Sequence, residues 1–353
     1  MKRLPPKNGS VEKIKISTLV VDGNALYKRG FSAAKNEYNH HGEHIGGVYP
    51  FLTALRKILE ENLYHKVYVF WDGEFSGKMR WEIYSDYKSG RGKDYINGTK
   101  PEDQNEVLQR RILFNYLEEL YIRQLLDEKV EADDFIAYIC KAKRDTEKIT
   151  IVSSDRDLCQ LIHTNVRIYL LDIKDYVYVS NFKDVFDYHY ENVALIKIIC
   201  GDNSDSIKGI KGVKEKTLFN IMPELKERKV TLEEIIERAQ QLQEQRISDK
   251  KPKIKALDNI INGTTDGVQG NRLYEINKNL VDLTTPLIHE EALSRINDLM
   301  VSELSDDREI KNVYRMLKED GLDRVLGEYR YENFLLPFKK LIEREKKNNR
   351  VIT

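Results

Sequence analysis

Five acids crowd into two short stretches. Glu131, Asp133 and Asp134 follow Val130, and Asp155 and Asp157 follow Ser153-Ser154. Carboxylates held close repel one another unless cations offset them. A donor set of oxygen alone suits Mg²⁺ or Mn²⁺. Each stretch also has an ordinary explanation, since acids complement a helix's first turn and an aspartate after a strand often caps a helix. Repetition shifts the balance. Ile16 to Val21 ends in Asp22, Val67 to Trp71 ends in Asp72, and Ile149 to Ser153 is followed by Asp155. If these apolar, β-rich runs are parallel neighbours, their acids emerge at one sheet edge, where open α/β sheets bind ligands.

Two further acids, Asp202 and Asp205, lie three apart and precede Gly209-Ile210-Lys211-Gly212-Val213. Such a turn can present backbone N–H groups to a phosphate, although short glycine motifs also join helices without any ligand. Between Gly73 and Glu106, Lys78, Arg80, Lys88, Arg91, Lys93 and Lys100 alternate with Trp81, Tyr84, Tyr87 and Tyr95. Cations that track phosphate beside rings that stack bases suit a single nucleic-acid strand. A solvated helix followed by a basic loop has the same composition.

The elements that must hold these groups follow from periodicity. Phe51, Leu52, Leu55, Ile58 and Leu59 repeat at helical spacing, so residues 16–72 read as β-α-β with a right-handed crossover. Gln104 to Leu126 reads as one long helix. Glu131 opens another, and Leu158 to Ile162 a short one. Val166–Leu171 and Val177–Ser180 read as strands. From Val193 onward the pattern is helical, including a charged helix from Thr231 to Gln245 and a basic linker from Lys250 to Lys255.

With 58 Lys+Arg against 58 Asp+Glu, charge argues for no partner class, and a DNA partner requires segregated basic groups. Cys140, Cys159 and Cys200 sit in apolar runs without C-x-x-C spacing and read as core thiols of a reducing compartment. No apolar run reaches spanning length, and residues 1–15 lack a signal-peptide core. The expectation is a protein of the cytoplasm.

The order of the pieces resembles a known family. Val21-Asp22-Gly23-Asn24, Phe70-Trp71-Asp72-Gly73, Tyr87-Lys88-x-x-Arg91, Val130 to Asp134, Ser153 to Leu158, Gly201-Asp202-x-x-Asp205-x-Ile207 and Gly209 to Val213 are similar to the motifs of the flap endonuclease / 5′–3′ exonuclease family. The resemblance runs from about residue 16 to 220. The tract from Trp81 to Lys93, with Asn279 to Leu283, is closest to the family's T-even bacteriophage branch.

That resemblance implies an α/β class: a mainly parallel sheet flanked by helices, PIN-like, with a helical C-terminal part holding a helix-hairpin-helix. The implied division is a tail at 1–15, a nuclease domain at 16–192 with a basic-aromatic arch at 77–104, a helical DNA-binding part at 193–345 with its hairpin at 206–220, and a basic, disordered tail at 346–353. It implies phosphodiester hydrolysis near a 5′ end with two Mg²⁺ ions, Mn²⁺ substituting. Asp22, Asp72 and Asp133 would hold one ion with Glu131 on its water, and Asp155, Asp157 and Asp202 the other, with Asp134 and Asp205 farther out. Lys88 and Arg91, on one helical face, would bind the scissile phosphate. Tyr84 and Tyr87 would stack bases. Arg80, Lys93, Gly209, Lys211, Gly212, Lys214 and Lys216 would contact DNA. Lys214 stands where the family usually has glycine, which bears on a monovalent cation at the hairpin. The implied substrates are DNA with a 5′ flap or free 5′ end and RNA–DNA hybrid, met by a monomer in phage replication, inside the host cell, with single-strand-binding protein or sliding clamp as partners. A non-catalytic structure-specific DNA-binding protein, a PIN-type ribonuclease and a small-molecule phosphatase are the competing readings. The first would lack metal acids, and the others would not need the arch and hairpin.

Overall fold

The computed structural model describes residues 16–33, 38–39, 42, 45–91, 104–265, 272–303, 308–322 and 331–352. Six strands form one sheet in the order β3-β2-β1-β4-β5-β6. They are β1 (Ile16–Asp22), β2 (Lys66–Asp72), β3 (Arg123–Asp127), β4 (Glu147–Ser153), β5 (Val166–Leu170) and β6 (Asp175–Val177). All neighbours pair in parallel except β5 and β6. The expected class, a mainly parallel sheet flanked by helices with a helical C-terminal part, is the one found.

Alternation along the strands explains the two layers. Leu19, Val21, Val67, Val69 and Trp71 face one core with helices Val48–Glu61 and Gln104–Glu119. Val20, Tyr68, Phe70 and Ile151 face the other, against helix Ala132–Lys143. Period-two side chains on a sheet covered on both faces produce this split. The three cysteines are buried and unpaired. No described helix is long and apolar enough to cross a membrane.

Four expectations need correction. The run Gln104 to Leu126 is not one helix. It stops at Glu119, Tyr121 takes a left-handed φ of 61°, and Arg123–Asp127 becomes edge strand β3. Pairing with β2 overrides helix propensity there. The late strand lies at Asp175–Val177 instead of 177–180, because Asn181 turns the chain by accepting from the Tyr178 N–H at 2.9 Å. The C-terminal residues are not a loose tail: helix Tyr331–Ile352 runs through them. Its Glu345 is buried in an ion pair with Arg123 of β3. Packing is also continuous across the 192/193 division. Phe334, Phe338 and Leu341 join the core above helix Val48–Glu61, and Ala292 and Ile296 join the opposite one. The 1–15 tail and residues 92–103 of the arch lie outside the described residues.

Candidate active site

Parallel pairing of β2, β1 and β4 sets their C-terminal ends side by side. Register places Asp22 opposite Phe70 and Val21 opposite Val152, so Asp22, Asp72 and Asp155 leave the sheet at one edge. The N-terminus of helix Ala132–Lys143 closes on the same edge, since its Ala132 N–H donates to Asp72 Oδ1 at 2.8 Å. Asp133, one residue on, joins the acids.

Asp22 is buried and held by two donors, the Ala25 N–H at 2.9 Å and the Ser153 hydroxyl at 2.7 Å. Ser153 also accepts from the Asp155 N–H at 2.9 Å, so one hydroxyl ties two of the acids together. Burial, then Asp72 and Asp155, push Asp22 up to about 6. Burial, followed by Asp155, Asp22, Asp72 and Glu131, drives Asp133 well above the carboxylate range. Mutual repulsion of this kind requires the groups to share one pocket.

A second cluster adjoins it. Carboxylate oxygens of Asp157, Asp202 and Asp205 lie within 4.8 Å of one another. Burial and Asp155 raise Asp157 to about 7. Burial would raise Asp202 as well, but hydrogen bonds from Lys197 and Ser204 bring it to about 2. Lys197 bridges Asp157 and Asp202. It is the one charge in the apolar helix Val193–Cys200, and sequence reading passed over it. A cation inside an otherwise apolar helix was the available signal. Ser153 was missed too, and its type carries no such signal.

The grouped donors at Asp157, Asp202 and Asp205 are carboxylate oxygens, and nearby Cys159 and Cys200 are buried thiols outside that group. Raised carboxyls at Asp22, Asp133 and Asp157 mark uncompensated negative charge. Both features fit hard divalent cations.

Glu131, expected on the water of one ion, has cationic partners within the chain. It accepts from the Tyr87 hydroxyl and pairs with Lys88 and with Arg80, the latter at 2.9 Å. Burial would raise it, but Lys88 and Arg80 hold it down at about 2. Its oxygens are committed to cations of the chain. Asp134 is likewise removed from the metal pocket: it is buried, clasped by both Arg80 nitrogens at 2.6 and 3.0 Å, and accepts from the Leu287 N–H. Arg80, expected on DNA, is therefore an interior residue whose Nε also donates to the Leu280 carbonyl at 2.9 Å. Tyr87, expected to stack bases, is buried against Ile196, Ile199 and Ile207. Paired charges and a hydroxyl with a partner are what make such burial tolerable.

Lys88 faces the site. Among the causes that raise it, after Glu131 overcomes burial, are Asp205 and Asp72. It does not share a helical face with Arg91. Helix Lys78–Ile83 ends first, Lys88 adopts φ 55°, and Ser89–Arg91 forms a separate turn. The Lys88 N–H donates to the Asp205 carbonyl at 2.8 Å and the Gly90 N–H to Ser206 Oγ at 3.0 Å. The base of the arch is thus fastened to the loop of the second acid cluster. The Arg91 side chain and Lys93 lie outside the described residues. Tyr84 is half-buried with its hydroxyl on Asp86 at 3.3 Å.

The glycine turn joins helices Val193–Cys200 and Glu215–Ile221. A Cβ on Gly209 would lie 2.1 Å from the Cys200 backbone, and Gly212 takes φ 77°. Only glycine fits the first, and the second favours it. Lys214 sits at φ −118°, extended backbone that accommodates lysine. Lys211, Lys214 and Lys216 are exposed. Lys214 and Lys216 share with Asp155, Asp157, Lys197 and Asp202 a cleft of about 980 Å³.

Residues 17–191 match the family model described as "5′-3′ exonuclease, N-terminal resolvase-like domain". A 5′-3′ exonuclease of Halalkalibacterium halodurans is 29% identical over 301 residues, covering 82% of this chain and 90% of that protein. One from Mycoplasmopsis pulmonis is 29% identical over 253 residues, covering 69% and 79%. A thermostable DNA polymerase I of Thermus thermophilus is 29% identical over 208 residues, and the chain spans only 24% of its length. Among solved structures, bacteriophage T5 5′-exonuclease with divalent zinc ions shares the fold at TM-score 0.56 and 20% identity, covering 86% of this chain and 99% of that one. The T5 flap endonuclease with DNA and metal ions gives 0.55 and 19%.

Proposed function

Since residues 17–191 make this chain a member of the 5′–3′ exonuclease family, we propose that it is a structure-specific 5′-nuclease, cutting phosphodiesters near the 5′ end of DNA or of RNA–DNA hybrid. The observation that carries this reading is the convergence of acids from five chain segments at one sheet edge, with Lys88 on one side and exposed lysines on the other.

Asp22, Asp72 and Asp133 would hold one divalent ion, and Asp155, Asp157 and Asp202 with Asp205 a second. Mg²⁺, with Mn²⁺ as substitute, would supply there an acidified water and charge to offset the leaving oxygen. The chain's own groups do the rest. Glu131 holds Lys88 at the pocket edge, and Lys88 with Arg91 would meet the scissile phosphate and its developing charge. Asp22 is kept in place by Ser153 and Ala25. Lys211, Lys214 and Lys216 would take the duplex backbone beyond the cut. None of these contacts reads a base edge, so selectivity would be for a 5′ flap or free 5′ end beside duplex. Primer or flap removal in phage replication, by a monomer in the host cytoplasm, is the role this activity would serve.

A gel assay on a 5′-labelled flap duplex tests the reading. Mg²⁺-dependent cleavage near the junction is expected, abolished in Asp155→Ala while binding to the flap persists. Binding without cleavage in the wild type would support a non-catalytic DNA-binding protein. Cleavage of a free RNA strand alone would support a PIN-type ribonuclease.

A further inference from the structure

The sheet's opposite edge carries a second cavity, of about 650 Å³, where β1, β4 and β5 begin. Ser17 lines it, and Asp22 leaves the far end of the same strand, roughly 17 Å away at about 3.3 Å per residue. Nothing bound here would touch the acids of the candidate active site.

Its chemistry is one-sided. Lys148, His163 and Arg167 line the cavity, and no described acid does. Arg167 is fixed by neutral groups: Nε donates to Thr150 Oγ1 at 3.1 Å, Nη2 to Asn62 Oδ1 at 2.7 Å, and the guanidinium lies 4.3 Å over the Tyr176 ring. Arg167 makes no ion pair with a described acid, although the chain is a third charged. A guanidinium held rigidly without a counter-ion is a preorganised carboxylate receptor. Tyr64 is only 2% exposed and lines the cavity, with its hydroxyl grouped beside Thr150, Arg167 and Tyr176. The rim is apolar, with Leu63 71%, Tyr178 42% and Val179 39% exposed.

We propose that this cavity binds a short acidic peptide segment of a partner protein, with Arg167 taking a carboxylate and Leu63, Tyr178 and Val179 seating an adjacent apolar side chain. The size matches ligand pockets of about 300–1,000 Å³. Two cations and an imidazole beside a short apolar rim differ from the long basic track with stacked rings that a nucleic-acid strand needs.

The test is fluorescence anisotropy of fluorescein-labelled Asp-Glu-Asp-Leu-Leu-Phe titrated with the full chain, alongside a labelled oligonucleotide, with flap cleavage measured on the same samples. Saturable peptide binding is expected. Arg167→Gln and, separately, Leu63→Asp should each weaken it by at least about ten-fold, as for loss of one strong contact, with cleavage unchanged. Leu63 is exposed, so its substitution does not threaten folding. Absence of saturable binding at millimolar protein, binding indifferent to both substitutions, or displacement of the peptide by the oligonucleotide would overturn the assignment. The proposal does not rest on the nuclease reading, and the cleavage arm separates failure of one from failure of the other.

Discussion

Asp22→Asn should stabilise the metal-free protein while removing its activity. Burial first, then Asp72 and Asp155, lift the Asp22 carboxyl from 3.8 to about 6. A folded-state value above the unfolded one means the native state holds the proton more tightly. Stability is therefore lost as pH rises from about 4 through 6, and the full penalty applies above that. At about 1.4 kcal/mol per pH unit, the charged form costs on the order of 3 kcal/mol. Asparagine removes that charge and still accepts from Ala25. It disturbs the Ser153 hydrogen bond, because an amide nitrogen in place of Oδ2 cannot accept from the Ser153 hydroxyl, at a cost of about 1 kcal/mol. The net gain is roughly 2 kcal/mol at pH 8. Unfolding entropy of about 2.1 cal/mol/K per residue over 353 residues turns this into a rise in Tm of about 3 °C. At pH 4 the charge term is mostly gone and the gain should vanish. Calorimetry in EDTA at the two pH values measures both, and added Mg²⁺ should raise the Tm of the wild type more than that of the variant. A variant less stable than wild type at pH 8, or equally stabilised at pH 4, would show that the buried Asp22 charge does not carry this cost.

Other outcomes follow from the same geometry. Lys88→Ala should slow single-turnover cleavage by on the order of ten- to a thousand-fold with flap affinity little changed; an effect confined to affinity in a quench-flow and anisotropy pair would make Lys88 an anchor only. Arg80→Ala strands Asp134 in the interior and should cost about 3–5 kcal/mol, a fall in Tm of roughly 4–7 °C. A change within experimental error would show that Asp134 is solvated after all.

The acids were legible because metal chemistry restricts side-chain type and the strands that carry them announce themselves by apolar runs. Asp22, Asp72 and Asp155 follow three such runs, and parallel order alone brings them to one edge. What sequence reading could not recover was burial of charge. Arg80, Tyr87 and Asp134 lie in a basic-aromatic tract or an acidic motif, and composition alone assigns them to solvent or substrate. In the fold they form the joint beneath the arch, where Arg80 ties Asp134 and Glu131 to the carbonyl of Leu280, two hundred residues away. Helix Gln104–Glu119 was overextended for a related reason: the run from Leu120 to Leu126 satisfies helical spacing, and only the open edge of β2 recruits it as a strand.

That joint gives the arch its physical logic. Basic side chains next to a carboxylate pocket pair with its acids unless other partners hold them. Here the nearest acids outside the metal clusters are already neutralised: Glu131 by Arg80 and Lys88, Asp134 by Arg80. Lys88 is thereby held by one partner at the pocket rim and kept from Asp72 and Asp205, whose charge it nevertheless feels. The buried ion pairs add little net stability by themselves. Their effect is to fix where Lys88 stands, and a transition-state contact requires that placement before substrate arrives.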